Sequence, residues 1–389
     1  MIKKIKLYDL LMTLLILSIF KVNFMTRIYP DFYKLLKIIV FLIVSIFIIE
    51  YVDISKKNYR NVFLFMISIF LSSLNGYFKN YINFSDFMIG IMQGLTIYYL
   101  FIMIDYGVKH DLEKNLIKIT YNILVVYVLG TIIFLFKKDL NSIGGLKQYF
   151  VGNKFSTSYI LLLFDIIYAI RYNVPLKNKF KFFLLIIVTI VICAYVECST
   201  AVVASICLFL IFIKNIKIKN FLMKKNVLTF TFIFSFLILS VITIILGNKY
   251  VSFLVKDVLG ENLTLTGRIQ IYEKLPEIIE KEKVFGYGYS NEAVSEVVGY
   301  GNAQNAFYEI LVSYGIVGAL NLFILFRKAF NTKKVNYKYF PLYIFIYMIL
   351  ICGIVEISFN NLFYFVLFYV YAINQKDSDE MKIEGENYI

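Results

Sequence analysis

Long apolar runs, separated by short polar and often basic segments, fill most of this chain. A helix that crosses a bilayer needs about 20 mostly apolar residues, and by that measure the pattern predicts about twelve of them. They cover residues 7–24, 33–52, 60–78, 84–105, 116–136, 156–172, 180–196, 199–213, 227–246, 303–326, 339–357 and 360–374. The apolar stretch 180–213 is too long for one helix, and its polar break at 197–200 predicts a tight hairpin.

The pattern predicts an all-α, polytopic integral membrane protein in which residues 1–376 form one membrane domain. Of the 389 residues, 60% are hydrophobic and only 17% are charged, which is too apolar for a soluble domain. The formal net charge of +14 does not indicate nucleic-acid binding, because the basic residues occur in short clusters between apolar runs. All four cysteines lie inside apolar runs, which predicts buried thiols without a disulfide framework or a metal site.

The basic clusters predict how the helices are oriented. Cytoplasmic loops of membrane proteins are enriched in Lys and Arg, and here alternate loops carry the clusters. These clusters are Lys3, Lys4 and Lys6; Lys56, Lys57 and Arg60; Lys109, Lys114 and Lys118; Arg171, Lys177, Lys179 and Lys181; Lys214, Lys217, Lys219, Lys224 and Lys225; and Arg327, Lys328, Lys333, Lys334 and Lys338. We therefore expect both termini in the cytoplasm and a large outer loop at 247–302, between helices nine and ten. The acidic tail 377–389 lacks apolar periodicity and is expected to be cytoplasmic and irregular.

Polar and charged residues are concentrated in the stretch 266–318. Thr266 is a candidate N-cap, and Ile269, Tyr272, Leu275, Ile278 and Ile279 follow at helical spacing, which predicts an amphipathic helix along the membrane surface. Pro276 is expected to kink or interrupt this helix.

Arg268 is the only arginine of the predicted outer loop. Its planar guanidinium can hold a phosphate or diphosphate through two hydrogen bonds, which a lysine cannot do. The alternative is a solvated arginine on a surface helix that only packs against the bundle.

Four short motifs in this stretch carry a family resemblance. They read Thr266-Gly267-Arg268, Phe285-Gly286-Tyr287-Gly288, Gln304-Asn305-Ala306-Phe307 and Tyr314-Gly315-Ile316-Val317-Gly318. In order and spacing they resemble the Wzy-type O-antigen and capsular polysaccharide polymerases and the related O-antigen ligases. Weaker similarities lie at Gly152-Asn153-Lys154-Phe155 and Ser199-Thr200-Ala201. Two positions depart from the family pattern: Gln304 replaces a histidine, and Thr200 and Ala201 stand where an arginine is often found.

The resemblance implies glycosyl transfer on the outer face of the bacterial cytoplasmic membrane. Lipid-linked repeat units, carried on polyprenyl diphosphate, would be polymerised into a capsule, an O-antigen or an exopolysaccharide, without a metal ion or another cofactor. Membrane lipids, a flippase and a chain-length regulator of the same pathway are the expected partners. Two alternatives stay open: ligase-type transfer of the glycan to another acceptor, and a flippase for lipid-linked oligosaccharides. The flippase is disfavoured because polar residues concentrate on one side of the bundle.

The resemblance also implies roles for individual residues. Arg268, helped by Lys154, would stabilise the leaving diphosphate, while Gln304 and Asn305 would orient the acceptor, because an amide cannot act as a general base. The sole histidine, His110, lies in a predicted cytoplasmic loop and cannot replace the family's histidine.

Carboxylates and aromatic rings complete the candidate site. Glu197 is predicted as a catalytic carboxylate, the further candidate bases are Glu292, Glu296 and Glu356, and Asp165 is a candidate buried carboxylate within the sixth helix. Near the outer loop, Asn153, Tyr287, Tyr289 and Tyr308 are predicted to contact substrate, the tyrosines by stacking on sugar rings.

Overall fold

The chain is helical in its described parts. The computed structural model describes residues 2–29, 31–52, 57–135, 142–143, 146–174, 179–213, 216–237, 268–331 and 336–386. The helices are α1 Ile2–Ile19, α2 Asn23–Ile28, α3 Phe32–Tyr51, α4 Lys57–Phe78, α5 Phe84–Lys109, α6 Glu113–Leu135, α7 Lys154–Arg171, α8 Lys179–Tyr195, α9 Ser199–Ile213, α10 Ile216–Leu222, α11 Lys225–Leu237, α12 Arg268–Lys281, α13 Ala293–Val298, α14 Ala306–Ala329, α15 Phe340–Gly353 and α16 Asn361–Glu386. A two-stranded antiparallel hairpin pairs β1 Ser142–Ile143 with β2 Leu146–Lys147.

Each of the twelve predicted spans overlaps a helix, and residues 238–246 of the ninth span lie outside the described part of the structure. Among the described residues, five helices are long and apolar enough, namely α3, α4, α5, α6 and α14. Apolar helices of 10–17 residues form α8, α9, α11 and α15. The structure therefore supports an all-helical membrane protein, and the count of twelve crossings stays a prediction.

Two segment boundaries are informative. The predicted hairpin is present, because α8 ends at Tyr195 and α9 begins at Ser199, with Glu197 between them at a φ of 60°. The end of the chain differs from the expected irregular tail, because the backbone of α16 continues as a helix to Glu386.

The apolar faces of the helices meet in one large core. Within it, α4 packs against α5 and α14, α5 packs against α16, and α6 packs against α7. The helix α15 is buried along almost its whole length between α7, α9 and α16. This burial brings the turn after α15 to the ends of α7 and α9.

The predicted outer loop carries its own small core. In α12, Ile271, Leu275 and Ile278 are almost completely buried, at the i, i+4, i+7 spacing of one helix face. They pack with residues of α13 and α14. The helix continues through Pro276, where the sequence predicted a kink or an interruption, because apolar burial on both sides of the proline holds it together. Thr266 and the remaining loop residues up to 267 lie outside the described residues.

The helix α14 is broken at Gly315, and the loop before it fills the break. Gly315 has φ 62° and ψ −168°, so the helical hydrogen bonds are interrupted there. The backbone N–H groups of Tyr287 and Gly288 donate to the carbonyls of Val312 and Ser313 at 2.9 and 3.0 Å.

Two hydrogen bonds run in the opposite direction. The N–H of Ile316 donates to the carbonyl of Lys283 at 2.8 Å, and the N–H of Val317 donates to that of Val284 at 3.2 Å. The motifs at 285–288 and 314–318 are thus two halves of one contact.

A buried carboxylate anchors the same loop to α4. Glu282 accepts hydrogen bonds from Lys79 at 2.6 Å, Asn75 at 3.2 Å and Tyr81 at 3.1 Å. Burial raises the pKa of Glu282, but the hydrogen bonds from Lys79, Asn75 and Tyr81 outweigh it, so that its pKa lies below the usual value. The ionised carboxylate therefore ties the loop to the end of α4 at neutral pH.

The first prediction concerns the side of the membrane on which this loop lies. Glu280 has a side chain that is 74% exposed, so Glu280→Cys should react with a membrane-impermeant maleimide in intact cells. Lys328→Cys, at the opposite end of α14, should react only after permeabilisation, and the native chain serves as the blank. The reverse labelling pattern would contradict the predicted orientation.

The second prediction tests the contact at the break in α14. A methyl group at Gly315 would approach the carbonyl oxygen of Val284 to 2.3 Å, and one at Gly286 would approach that of Val312 to 2.6 Å. Both glycines also have positive φ. Strain and overpacking together should lower the free energy of unfolding by at least about 2 kcal/mol in Gly315→Ala or Gly286→Ala.

Thermal unfolding of purified protein in detergent measures this effect. Gly301→Ala is the matched control, because a Cβ there would meet no atom within 4 Å. Equal melting temperatures for Gly315→Ala and Gly301→Ala would refute the importance of the contact.

Candidate functional site

A buried carboxylate lies in the turn between α15 and α16. Glu356 is only 5% exposed. It accepts a hydrogen bond from the Tyr159 hydroxyl of α7 at 2.9 Å and one from the Thr200 hydroxyl of α9 at 2.6 Å. Hydroxyls from two helices therefore fix both oxygens of this carboxylate.

Asn305 connects this turn to the family-like motif. Its side-chain oxygen caps α14 by accepting from the N–H groups of Phe307 and Tyr308, both at 2.9 Å. Its side-chain nitrogen donates to the carbonyl of Ile354 at 2.6 Å, two residues before Glu356. The fully buried Asn305 thus links the start of α14 to the turn that holds Glu356.

Gln304 precedes the cap in a left-handed conformation, with φ 49°. Its side-chain nitrogen donates to the Asn302 side chain at 2.8 Å, and its carbonyl accepts from the Tyr272 hydroxyl at 3.0 Å. The residue is only partly buried. These contacts suit an orienting role, because the amide side chain cannot take up a proton at neutral pH.

Glu197 and Lys154 come together at the hairpin before α9, but in a solvated setting. The Glu197 side chain is 70% exposed and pairs with Lys147 at 3.1 Å. The Lys154 ammonium donates to the Glu197 carbonyl at 3.0 Å. Hydrogen bonding to Glu197 raises the pKa of Lys147, so this lysine is charged at neutral pH. An exposed, ion-paired carboxylate is a poorer candidate base than the enclosed Glu356.

Arg268 is the first residue of α12. Its side chain lies outside the described part of the structure, so its predicted contact with a diphosphate stays a prediction. The helix start adds partial positive charge at this position.

Of the three tyrosines predicted to stack on sugars, Tyr287 is buried. It is 5% exposed, and its hydroxyl donates to the carbonyl of Ile278 at 2.8 Å. Burial, followed by the nearby Tyr81 and Glu282, raises the pKa of Tyr287 to about 12. The ring of Tyr287 belongs to the small core of the loop, and its contact with a sugar stays a prediction.

The other two tyrosines are only partly buried. The ring of Tyr308 lies beside Phe236, with centroids 6.1 Å apart. Tyr289 lines a cavity and is the tyrosine that is placed to contact a ligand.

The cavity has a volume of about 830 Å³ and lies where α1, α3, α5, α7 and α16 converge. Asn153, which caps α7 through its bond from the Ser156 N–H at 3.0 Å, is part of its wall. Other polar wall residues include Lys21, Asn23, Lys34, Lys37, Gln93, Gln148, Asn360 and Asn361.

Sequence reasoning missed most of these wall residues. The available signal was the placement of Lys21, Lys34 and Lys37 at the ends of predicted helices that should face outward, against the usual enrichment of lysine in cytoplasmic loops.

One family model matches the chain, described as the O-antigen ligase family, over residues 182–323. No curated protein and no solved structure matches it. The matched region contains Glu197, Arg268, Gln304 and Asn305, whereas Glu356 and the cavity wall residues other than Tyr289 lie outside it. The resemblance predicted from four short motifs is confirmed over residues 182–323, where the chain is similar to the O-antigen ligase family.

Proposed function

We propose that this chain polymerises polyprenyl-diphosphate-linked repeat units into a surface polysaccharide on the outer face of the bacterial cytoplasmic membrane. A hydroxyl of the lipid-linked acceptor attacks the anomeric carbon of the donor glycan. The bond between that carbon and the diphosphate oxygen breaks, and the carrier leaves as polyprenyl diphosphate. A flippase would supply the repeat units, and a chain-length regulator would limit the product.

One observation supports the proposal: the segment matched by the family model makes hydrogen bonds to a buried carboxylate and to its turn. Asn305 of the matched segment holds the turn of Glu356, and Thr200, also in the matched segment, donates to that carboxylate at 2.6 Å. A carboxylate near an acceptor hydroxyl can take its proton during attack. Glu356 therefore supplies the base that Gln304 cannot be.

The leaving diphosphate needs a cation, because negative charge develops on its oxygen as the bond breaks. Arg268 begins α12, where the helix N-terminus favours anions. A preorganised guanidinium at that place stabilises the transition state electrostatically. In the proposed reaction Arg268 acts on the donor and Glu356 acts on the acceptor.

Ligase-type transfer is the second candidate function, and the description of the matching family favours it. The two reactions share the donor and differ in the acceptor. Loss of a polymerase leaves single repeats at the surface, loss of a ligase leaves polymer on the carrier, and loss of a flippase traps carrier-linked repeats on the inner leaflet. Analysis of cell-envelope glycans in a deletion strain separates the three.

The third prediction concerns Arg268. Removing a preorganised contact to a developing charge typically costs about 10²- to 10³-fold in rate, so Arg268→Ala should shorten the surface glycan and enlarge the pool of lipid-linked single repeats. Arg268→Lys should be nearly as damaging, because an ammonium cannot reproduce the guanidinium fork. Lys274→Ala, an exposed site on the same helix, is the control. Long polymer in Arg268→Ala at normal membrane abundance would refute the role of Arg268.

The fourth prediction tests whether Glu356 acts as the base and Gln304 only orients the acceptor. Loss of a general base costs about 10²- to 10⁴-fold, so Glu356→Gln should lower the polymerisation rate by that amount. Gln304→His should keep substantial activity, and Gln304→Ala should cost less than about 10²-fold.

The exposed carboxylate Glu292 provides the control variant Glu292→Gln. Melting temperatures in detergent identify variants that merely unfold. An inactive Gln304→Ala, together with an active Glu356→Gln, would exclude Glu356 as the base.

A further inference from the structure

The described charged residues in the wall of the cavity at the ends of α1 and α3 are all positive. Lys21, Lys34 and Lys37 belong to its wall, and no Asp or Glu does among the residues that the structure describes. Lys34 pairs with Asp31 at 3.1 Å. Within the described ranges, no carboxylate lies at ion-pair distance from Lys21 or Lys37, although Lys37 belongs to a helix that is long and apolar enough to cross the membrane. Ionisable residues at such depth are costly and commonly serve a ligand.

The same cavity has an apolar side that opens between α3 and α5. Ile38 of α3 and Met88 and Ile89 of α5 line it, and they are 50%, 42% and 42% exposed. Further along the two helices, Tyr99 closes the gap by contacting the ring of Phe41, with centroids 5.3 Å apart, and the Ser45 hydroxyl at 2.6 Å. The opening is therefore a crevice of limited depth between two membrane-facing helices.

Amide groups form the third part of the wall. Gln93 donates to Asn361 at 2.9 Å, and Asn23 donates to Gln148 at 2.7 Å. Together with Tyr289, they offer donors, acceptors and an aromatic ring for sugar hydroxyls and ring faces. Cations, an apolar crevice and amides suit one amphiphile that carries an anionic phosphate head, a sugar and a hydrocarbon tail.

We infer that this crevice binds the diphosphate of a second lipid-linked glycan through Lys21 and Lys37, with the polyprenyl chain lying between α3 and α5. The inference rests on the proposed function, in which Arg268 serves the donor, and it assigns the crevice to the acceptor. A polymerase uses two substrates on polyprenyl diphosphate. A ligase that passes the glycan to another kind of acceptor needs only one such site.

Binding of farnesyl diphosphate to the full-length protein in nanodiscs of zwitterionic phospholipid tests the inference. The native chain should bind two equivalents. Lys21→Gln/Lys37→Gln should bind one, with the affinity of the crevice reduced by about tenfold or more for each lost charge-assisted contact. Lys274→Ala/Lys281→Ala removes two exposed lysines of α12 and should bind two. Unchanged stoichiometry in the lysine double variant would overturn the assignment.

Further binding measurements identify the ligand and distinguish a failure of this inference from a failure of the proposed function. Inorganic diphosphate and farnesol should each bind the crevice more weakly than farnesyl diphosphate, because each offers only part of the amphiphile. Nanodiscs that contain phosphatidylglycerol should retain two sites. Loss of the crevice site in them would show that it takes ordinary anionic lipid, against the inference. If Arg268→Ala still makes long polymer while the lysine double variant loses one site, the donor assignment fails and the crevice stands.

Discussion

The break in α14 at Gly315 is the constraint on which the described part of the predicted outer loop depends. An interrupted helix leaves carbonyl and N–H groups without helical partners, and each unpaired group costs several kcal/mol in an apolar environment. Residues 283–288 supply the missing partners through four backbone hydrogen bonds. The loop therefore cannot leave the helix without exposing those groups, and only glycine fits at 286 and 315, where any Cβ would meet a backbone carbonyl.

The fixed loop determines where the polar residues of the site lie. It ends at Gln304 and Asn305, and Asn305 joins the start of α14 to the turn of Glu356. That carboxylate is held in turn by hydroxyls from α7 and α9. A proton-accepting group supported from several helices keeps its geometry when substrates exchange. This arrangement supports the proposal that Glu356, and not Gln304, acts as the base.

Apolar periodicity predicted the helices well, because a helix that buries one face carries apolar residues at regular spacing along the sequence. It predicted the hairpin at 197–200 and the amphipathic α12, with Leu275 and Ile278 on the buried face. Ile271 is buried as well, although the pattern did not place it on that face, and the side chain of Ile269 lies outside the described part of the structure. The packing of Tyr287 could not be predicted, since its partner is a backbone carbonyl of another element. Choosing Glu356 among four carboxylates likewise needs Tyr159 and Thr200, which are distant in sequence.

The lysines on the side of the predicted outer loop fall into two groups, those with a partner in the protein and those that line the cavity. Lys79 and Lys147 pair with carboxylates, and Lys154 donates to a backbone carbonyl. These cations are neutralised or solvated, so they hold the loop and the hairpin in place. Lys21 and Lys37 line the cavity instead, and the described part of its wall contains no acidic side chain. Two like charges repel each other, and an anion bound between them relieves that repulsion, which is the electrostatic basis of the proposed site for a lipid with a diphosphate head.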